Sequence, residues 1–210
     1  MSLGLVQHPE PIVFKQLKKI RGNIFIDIGA NIGVYSKPLS KNFRSVYVVE
    51  PNPEIFPVIE QSLRHRRNVI LLNFALSNKE GRVPFYVDQI KPLQYSGSAN
   101  TILPEFNYRP VSHPEINKTF NGHEGFMVPC YRFDDIFNEA DLVKIDVEGA
   151  EFLVLEGMKE ALSNKNIKNV VVELHDRKRK EELESLLSSY FNHSKWIDPD
   201  HLFCSLRAFA

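Results

Sequence analysis

The stretch Asp141-Leu-Val-Lys-Ile-Asp-Val-Glu-Gly-Ala-Glu-Phe-Leu-Val-Leu-Glu-Gly-Met158 changes its periodicity midway, and that change decides the fold. Leu142 to Val147 is apolar, β-branched and too brief for a helix, the pattern of a short buried strand. The strand nevertheless carries Lys144 and Asp146, and Glu148 and Glu151 flank the turn at Gly149. Beyond Gly149, Phe152, Leu153, Leu155 and Met158 make an apolar-rich helix. A strand that delivers carboxylates at its C-terminal end and turns sharply into a helix marks where open α/β sheets bind ligands.

Working toward the N-terminus, the same grammar recurs. Asn23-Ile-Phe-Ile-Asp-Ile-Gly-Ala-Asn-Ile-Gly33 reads as strand, tight turn and helix start, with Asp27 near the strand's end. Gly29 and Gly33 let the backbone turn and approach a ligand closely. A helix over 32–42 follows, then a strand from Ser45 to Glu50 that ends in an acid, then Pro51-Asn-Pro53 and a helix over 53–66. Glu50 lies 21 residues beyond Gly29, about the separation at which a second-strand carboxylate meets a ribose diol. Asn68 to Phe74 is a third strand, followed by Ala75-Leu-Ser-Asn78.

Toward the C-terminus, Val170-Val-Val-Glu-Leu-His175 is a further buried strand, with Glu173 and His175 near its end. A helix over 177–191 starts after Asp176, a suitable cap, and 195–198 with 203–209 form a closing pair of strands. Alternating strands and helices with short connections predict a doubly wound, mostly parallel sheet of about seven strands in a single α/β domain. The closing pair, lacking an intervening helix, predicts an antiparallel C-terminal edge. Residues 1–22 have the spacing of an amphipathic leader helix, through Ile12, Val13, Leu17 and Ile20. Between a hairpin arm at 83–87 and a strand at 127–131 lies an irregular insertion, 90–126, long enough to be a lid or binding loop. Its Tyr95, Ser98 and Asn100 are candidate acceptor contacts, with Thr101, Phe106, Tyr108, His113 and His123 nearby.

Twenty-six basic and 26 acidic residues cancel, which argues against a broad nucleic-acid-binding face. No stretch reaches transmembrane length and the start lacks a signal region, so the expectation is a cytoplasmic protein without a membrane partner. Cys130 and Cys204 each sit in an apolar run and are read as reduced packing residues.

The first turn distinguishes two nucleotide-like ligands. A dinucleotide site calls for Gly-x-Gly-x-x-Gly around a pyrophosphate, whereas this chain has Asp27-x-Gly29-x-Asn31-x-Gly33. Asp27 would repel a pyrophosphate but would suit the ammonium of S-adenosylmethionine. Asp27 to Gly33, Val49-Glu-Pro-Asn52, Ala75 to Asn78 with Glu80-Gly81, and above all Lys144-Ile-Asp-Val-Glu-Gly-Ala-Glu151 resemble the FkbM family of S-adenosylmethionine-dependent methyltransferases. The resemblance covers about residues 22–175. It implies the class I methyltransferase (Rossmann-like) fold and O-methylation, often of sugar or polyketide hydroxyls.

On these readings Asp27, Gly29, Asn31 and Gly33 surround the donor's methionine end, with Asp27 meeting its ammonium directly or through water and Asn31 on its carboxylate. Glu50 with Pro51 takes the ribose, and Asn73 and Ala75 flank adenine. Asp146 sits beside the sulfonium, and His175 is the candidate general base for the acceptor hydroxyl. Glu148 is a further candidate substrate contact, or with Glu151 a helix-start acid. An oxygen-rich Mg²⁺ site from Asp146, Glu173, His175 and Asp176 is an alternative that no ligand spacing compels. The acceptor is expected to be a sugar or other small molecule, with a homodimer one way to close its pocket. A non-catalytic protein binding S-adenosylmethionine or its product, and an NAD-dependent oxidoreductase, are the competing readings.

Overall fold

The computed structural model describes residues 8–86, 101–103, 119–120 and 123–208. The chain begins with α1 (Pro11–Leu17), β1 (Gly22–Ile28), α2 (Ser36–Leu39), β2 (Phe43–Val49), α3 (Phe56–Leu63) and β3 (Val69–Leu72). Four strands follow: β4 (Ala75–Ser77), β5 (Gly81–Tyr86), β6 (Thr119–Phe120) and β7 (His123–Arg132). The chain continues with α4 (Phe133–Ile136), β8 (Leu142–Ile145), α5 (Glu151–Gly157), α6 (Lys159–Ser163) and β9 (Asn169–Glu173). It closes with α7 (Lys180–Ser188), β10 (His193–Trp196) and β11 (His201–Ser205).

Seven strands make one sheet in the order β10-β11-β9-β8-β1-β2-β3, parallel except where β11 runs against β9 and β10. The expected C-terminal edge hairpin is therefore present, with β10 outermost and β11 one place inside it. Its strands begin two residues earlier than the sequence pattern suggests, because Asp198 Oδ1 accepts the N–H groups of Asp200 and His201 and fixes the turn there. Strand alternation sends side chains to both faces. Phe25, Leu142 and Val171 join Val13, Leu17, Ile59 and Leu63 on one side. Ile26, Val143, Val170 and Val172 join Val154, Leu155, Leu183 and Leu187 on the other.

Helices are shorter than expected where the backbone turns first. Asn31 and Gly33 both adopt positive φ, so regular helix begins only at Ser36 instead of 32. The apolar-rich helix expected beyond Gly149 is two, α5 and α6, broken at Met158. Of the leader, Val13 and Leu17 are buried but Ile12 is 60% exposed, so the apolar stripe is narrower than its spacing suggests. Residues 1–7 of that leader lie outside the described residues.

A second, smaller sheet flanks the C-terminal end of the main one. It places β7 between β4 and β5, with β6 also on β7. Thr101 is tied to it by two backbone hydrogen bonds with Tyr86, of 2.7 and 3.0 Å. Among the described residues no helix is long and apolar enough to cross a membrane, and both cysteines are buried thiols.

Candidate active site

A cavity opens at the C-terminal ends of β1, β2 and β8 and is closed on one side by the small sheet. Gly29 and Asn31 after β1, Glu50 and Pro51 after β2, and Asp146, Val147 and Glu148 after β8 form one half of the lining. Phe74, Ala75 and Leu76 around β4, Phe85 of β5, and Thr101 with Ile102 form much of the other half. Among the described residues the lining contains three carboxylates and no lysine, arginine or histidine. One wall is thus acidic and the opposite wall apolar.

Glu50 is clamped for its task. It is 5% exposed, and its two oxygens accept the N–H groups of Asn31 and Asn52, each at 2.9 Å. Burial raises its pKa to about 7 against the lowering effect of those two bonds. Asn73 does not line the cavity; its Nδ2 donates to the Glu50 carbonyl at 2.8 Å and so fixes the backbone that carries the acid. Asn31 has φ of 50°, in the left-handed region that asparagine tolerates, and turns its N–H toward Glu50.

Two expected donor contacts, Asp27 and Gly33, lie outside the lining, and Gly29 within it has a packing role as well. Asp27 is 1% exposed and absent from the lining, so the direct contact with a ligand ammonium is not built. Sheet register sets Asp27 beside Lys144 instead, and Oδ2 accepts from Ser36 Oγ at 2.5 Å while Oδ1 has no hydrogen-bond partner. Gly33 is also outside the lining: at φ of 77°, a Cβ there would stand 3.2 Å from Leu63 Cδ1, so it serves helix packing. Gly29 does line the cavity, but a Cβ on it would lie 1.8 Å from the Asp146 carbonyl oxygen. Its bareness is what lets β1 and β8 end side by side.

Lys144 is a residue whose part the sequence pattern did not reveal, although a lysine inside a buried strand is itself the signal. It is 2% exposed, with Nζ 2.8 Å from Asp146 Oδ2 and 4.8 Å from the Tyr35 ring centroid. Burial alone would lower its pKa, but the charges of Asp146 and Asp27 outweigh that and hold it ionised. Reciprocally, burial would raise the Asp146 pKa, and Lys144 lowers it below the ordinary carboxylate value.

His175 does not line the cavity and is not poised as a free base. Its Nδ1 lies 2.9 Å from Glu151 Oε1 and its Nε2 3.0 Å from Glu148 Oε2. Burial would lower its pKa, but hydrogen bonds and charges from Glu148 and Glu151 raise it to about 11, so near neutrality the ring holds a proton. Glu151, read from sequence as a helix-start acid, does accept the Gly149 N–H at 2.8 Å and also anchors His175. Glu148 stands in the left-handed region with φ of 50°, backbone strain of the kind that collects at functional turns. Glu173 comes within 4.0 Å of His175 Nε2, whereas Asp176 caps the next turn by accepting from the Lys178 N–H. Tyr95, Ser98 and Asn100, with Phe106, Tyr108 and His113, lie outside the described residues.

Two known proteins similar to this chain are named as methyltransferases. The chain is 30% identical over 168 residues to the hexuronic acid methyltransferase AglP of Haloferax volcanii, covering 79% of this chain and 62% of that one. It is 27% identical to methyltransferase sdnD of Sordaria araneosa, over 70% of this chain and 64% of the relative. The chain therefore spans somewhat under two thirds of the length of both. Among solved structures, an FkbM methyltransferase from Methylobacillus flagellatus superposes with a TM-score of 0.56 at 15% identity, over 87% of this chain and 43% of that one. That similarity carries the fold, the class I methyltransferase sheet. The methyltransferase FkbM domain family matches residues 27–200, from the first acid-bearing turn to the edge hairpin, and the chain belongs to that family.

Proposed function

We propose that this chain is an S-adenosylmethionine-dependent O-methyltransferase acting on a hydroxyl of a sugar or similar small molecule. The cavity lining carries this reading: among the described residues it has three carboxylates, an apolar wall and no cationic side chain. Such a surface repels the pyrophosphate of a dinucleotide and suits a cationic nucleoside with a vicinal diol. Family membership and two relatives named as methyltransferases, one of a hexuronic acid, support the same conclusion.

S-adenosylmethionine supplies an electrophilic methyl group on a sulfonium. The residues present fit it. Glu50, held at the cavity edge by two N–H groups, retains outward lone pairs for two ribose hydroxyls. Phe74, Leu76 and Phe85 offer an apolar slot for a flat base. Asp146, kept ionised by Lys144, places negative charge where the sulfonium belongs. The acceptor hydroxyl loses its proton as the new bond forms, and Glu148, a carboxylate of the lining, is our candidate to take it. His175 then acts behind Glu148, steadying its orientation.

Calorimetric titration of the purified chain with S-adenosylmethionine, S-adenosylhomocysteine and NAD tests the reading. Binding of the first two, lost in Glu50→Ala, is expected; binding of NAD alone would overturn it. A hydroxyl library including uronic acids then identifies the acceptor, and turnover should fall in Glu148→Gln while donor affinity is retained.

A further inference from the structure

Two histidines beside the cavity face carboxylates through both ring nitrogens. His175 Nδ1 lies 2.9 Å from Glu151 Oε1, and His201 Nδ1 lies 2.9 Å from Asp198 Oδ1. An ionised carboxylate only accepts, so each Nδ1 is the donor. When a cation displaces the second ring proton, Nε2 presents a lone pair, and both rings aim it at further acids. His175 Nε2 is 3.0 Å from Glu148 Oε2, 3.9 Å from Asp146 Oδ1 and 4.0 Å from Glu173 Oε1. His201 is 3% exposed, and its Nε2 comes within 3.1 Å of Glu173 Oε2 without forming an aligned hydrogen bond. Lone pairs against carboxylate oxygens repel, so positive charge belongs between them, supplied by protons on the rings or by a cation.

We infer that Asp146, Glu148 and His175 form a divalent-cation site, with Glu173 as an adjoining carboxylate. One ligand atom from each of the three lies within 4.8 Å of the others. Ligands ~2.1 Å from a six-coordinate ion stand ~3.0 Å apart when adjacent and ~4.2 Å when opposite, and the 3.0 and 3.9 Å separations here are of that size. The Nδ1–H of His175 donating to buried Glu151 is the outer-shell support that metal-binding histidines use to fix their tautomer. Register places His201 directly across from Glu173 on the neighbouring strand, where it holds that carboxylate in line. Lys144 occupies Asp146 Oδ2 and leaves Oδ1 on the His175 side. The imidazole suits Zn²⁺ and the carboxylates suit Mn²⁺, so these two ions are the candidates.

The site stands on this geometry; only its role, drawing an acceptor hydroxyl toward Glu148 and favouring its deprotonation, rests on the methyl-transfer reading. The chelator-stripped chain is titrated with Mn²⁺ and, separately, Zn²⁺ without donor, by calorimetry and by Mn²⁺ electron paramagnetic resonance. One equivalent is expected to bind and to raise the melting temperature. Glu148→Gln and His175→Gln should abolish both effects, and Glu151→Gln should weaken binding about 10- to 100-fold. Circular dichroism and cation-free melting separate loss of the site from loss of the fold. Absence of stoichiometric binding, or equal affinity in folded Glu148→Gln and His175→Gln, would overturn the site and leave protonated rings as the source of charge. Donor titration of the same stripped protein is independent: donor binding without cation binding removes this inference alone, and cation binding without donor binding removes the methyl-transfer reading alone.

Discussion

At the N-terminal end of the central strands, Asp141 Oδ2 accepts the N–H groups of Asn23 and Ile24, and Oδ1 accepts from Lys168 Nζ at 2.5 Å. Asn169 Nδ2 donates to the Asp141 carbonyl, so β1, β8 and β9 are stapled where they begin. At the C-terminal end the same residue types meet, an aspartate pair around Lys144, but Asp27 Oδ1 is buried without a partner and Glu50 has a pKa raised to about 7. Desolvation acts on both ends. At Asp141 the bonds from Lys168, Ile24 and Asn23 outweigh it and the pKa falls; at Asp27 burial prevails and the pKa rises. One end spends its polar groups on structure. The other keeps them underused and close to a cavity, as a site that must receive charge and donors from a ligand requires.

Substituting the two lysines probes that contrast most forcefully. Lys144→Met leaves buried Asp27 and half-buried Asp146 unbalanced and should cost about 3–5 kcal/mol, seen as a fall of about 6–20 °C in melting temperature. Adding Asp27→Asn should recover part of it. Gly29→Ala comes next, since its Cβ would collide with the Asp146 carbonyl oxygen at a φ of 74°. Overpacking and left-handed strain together predict a loss of about 2–5 kcal/mol in denaturant titrations, with donor binding abolished.

Protonation of Glu50 offers a subtler probe. Its pKa is raised to about 7, so the ligand-free protein binds more protons than the unfolded chain between the ordinary glutamate value and about 7. Stability attributable to Glu50 therefore falls as pH rises through that window, by on the order of 3 kcal/mol. Donor affinity should move the opposite way, rising with pH until about 7 and then levelling, because the carboxylate is the form that accepts both ribose hydroxyls. Calorimetry from pH 5.5 to 7.5 checks this, and a flat profile in Glu50→Gln assigns it. The smallest effect belongs to Lys168→Met: that side chain is 57% exposed, and its loss should cost no more than about 1 kcal/mol by chemical denaturation. A loss as large as that for Lys144→Met would erase the distinction between the two ends.

Much of this was legible before any coordinates. Acids at strand ends mark the cavity because a strand followed by a tight turn must present its last side chains at the sheet's rim, and Glu50, Asp146 and Glu148 all line it. Pro51 and Ala75 do so as well. Less legible was which acids turn inward. Asp27 and Glu50 look equivalent as strand-end carboxylates, yet the register of β1 against β8 sets Asp27 beside Lys144 and behind the cavity wall. His175 reads as a lone titratable base until α5 brings Glu151 against its Nδ1. His201 gave no signal, since its pairing with Glu173 depends on β11 inserting between β9 and β10.

The sequence by itself determined the alternation of strands and helices, the doubly wound sheet and the rim on which its acids stand, because period and turn chemistry act over a few residues. Tertiary structure alone decided which charges face the ligand and which neutralise one another. That outcome depends on strand order, in which β8 lies between β1 and β9, segments more than 100 and about 25 residues away respectively, and on register, which no local pattern encodes.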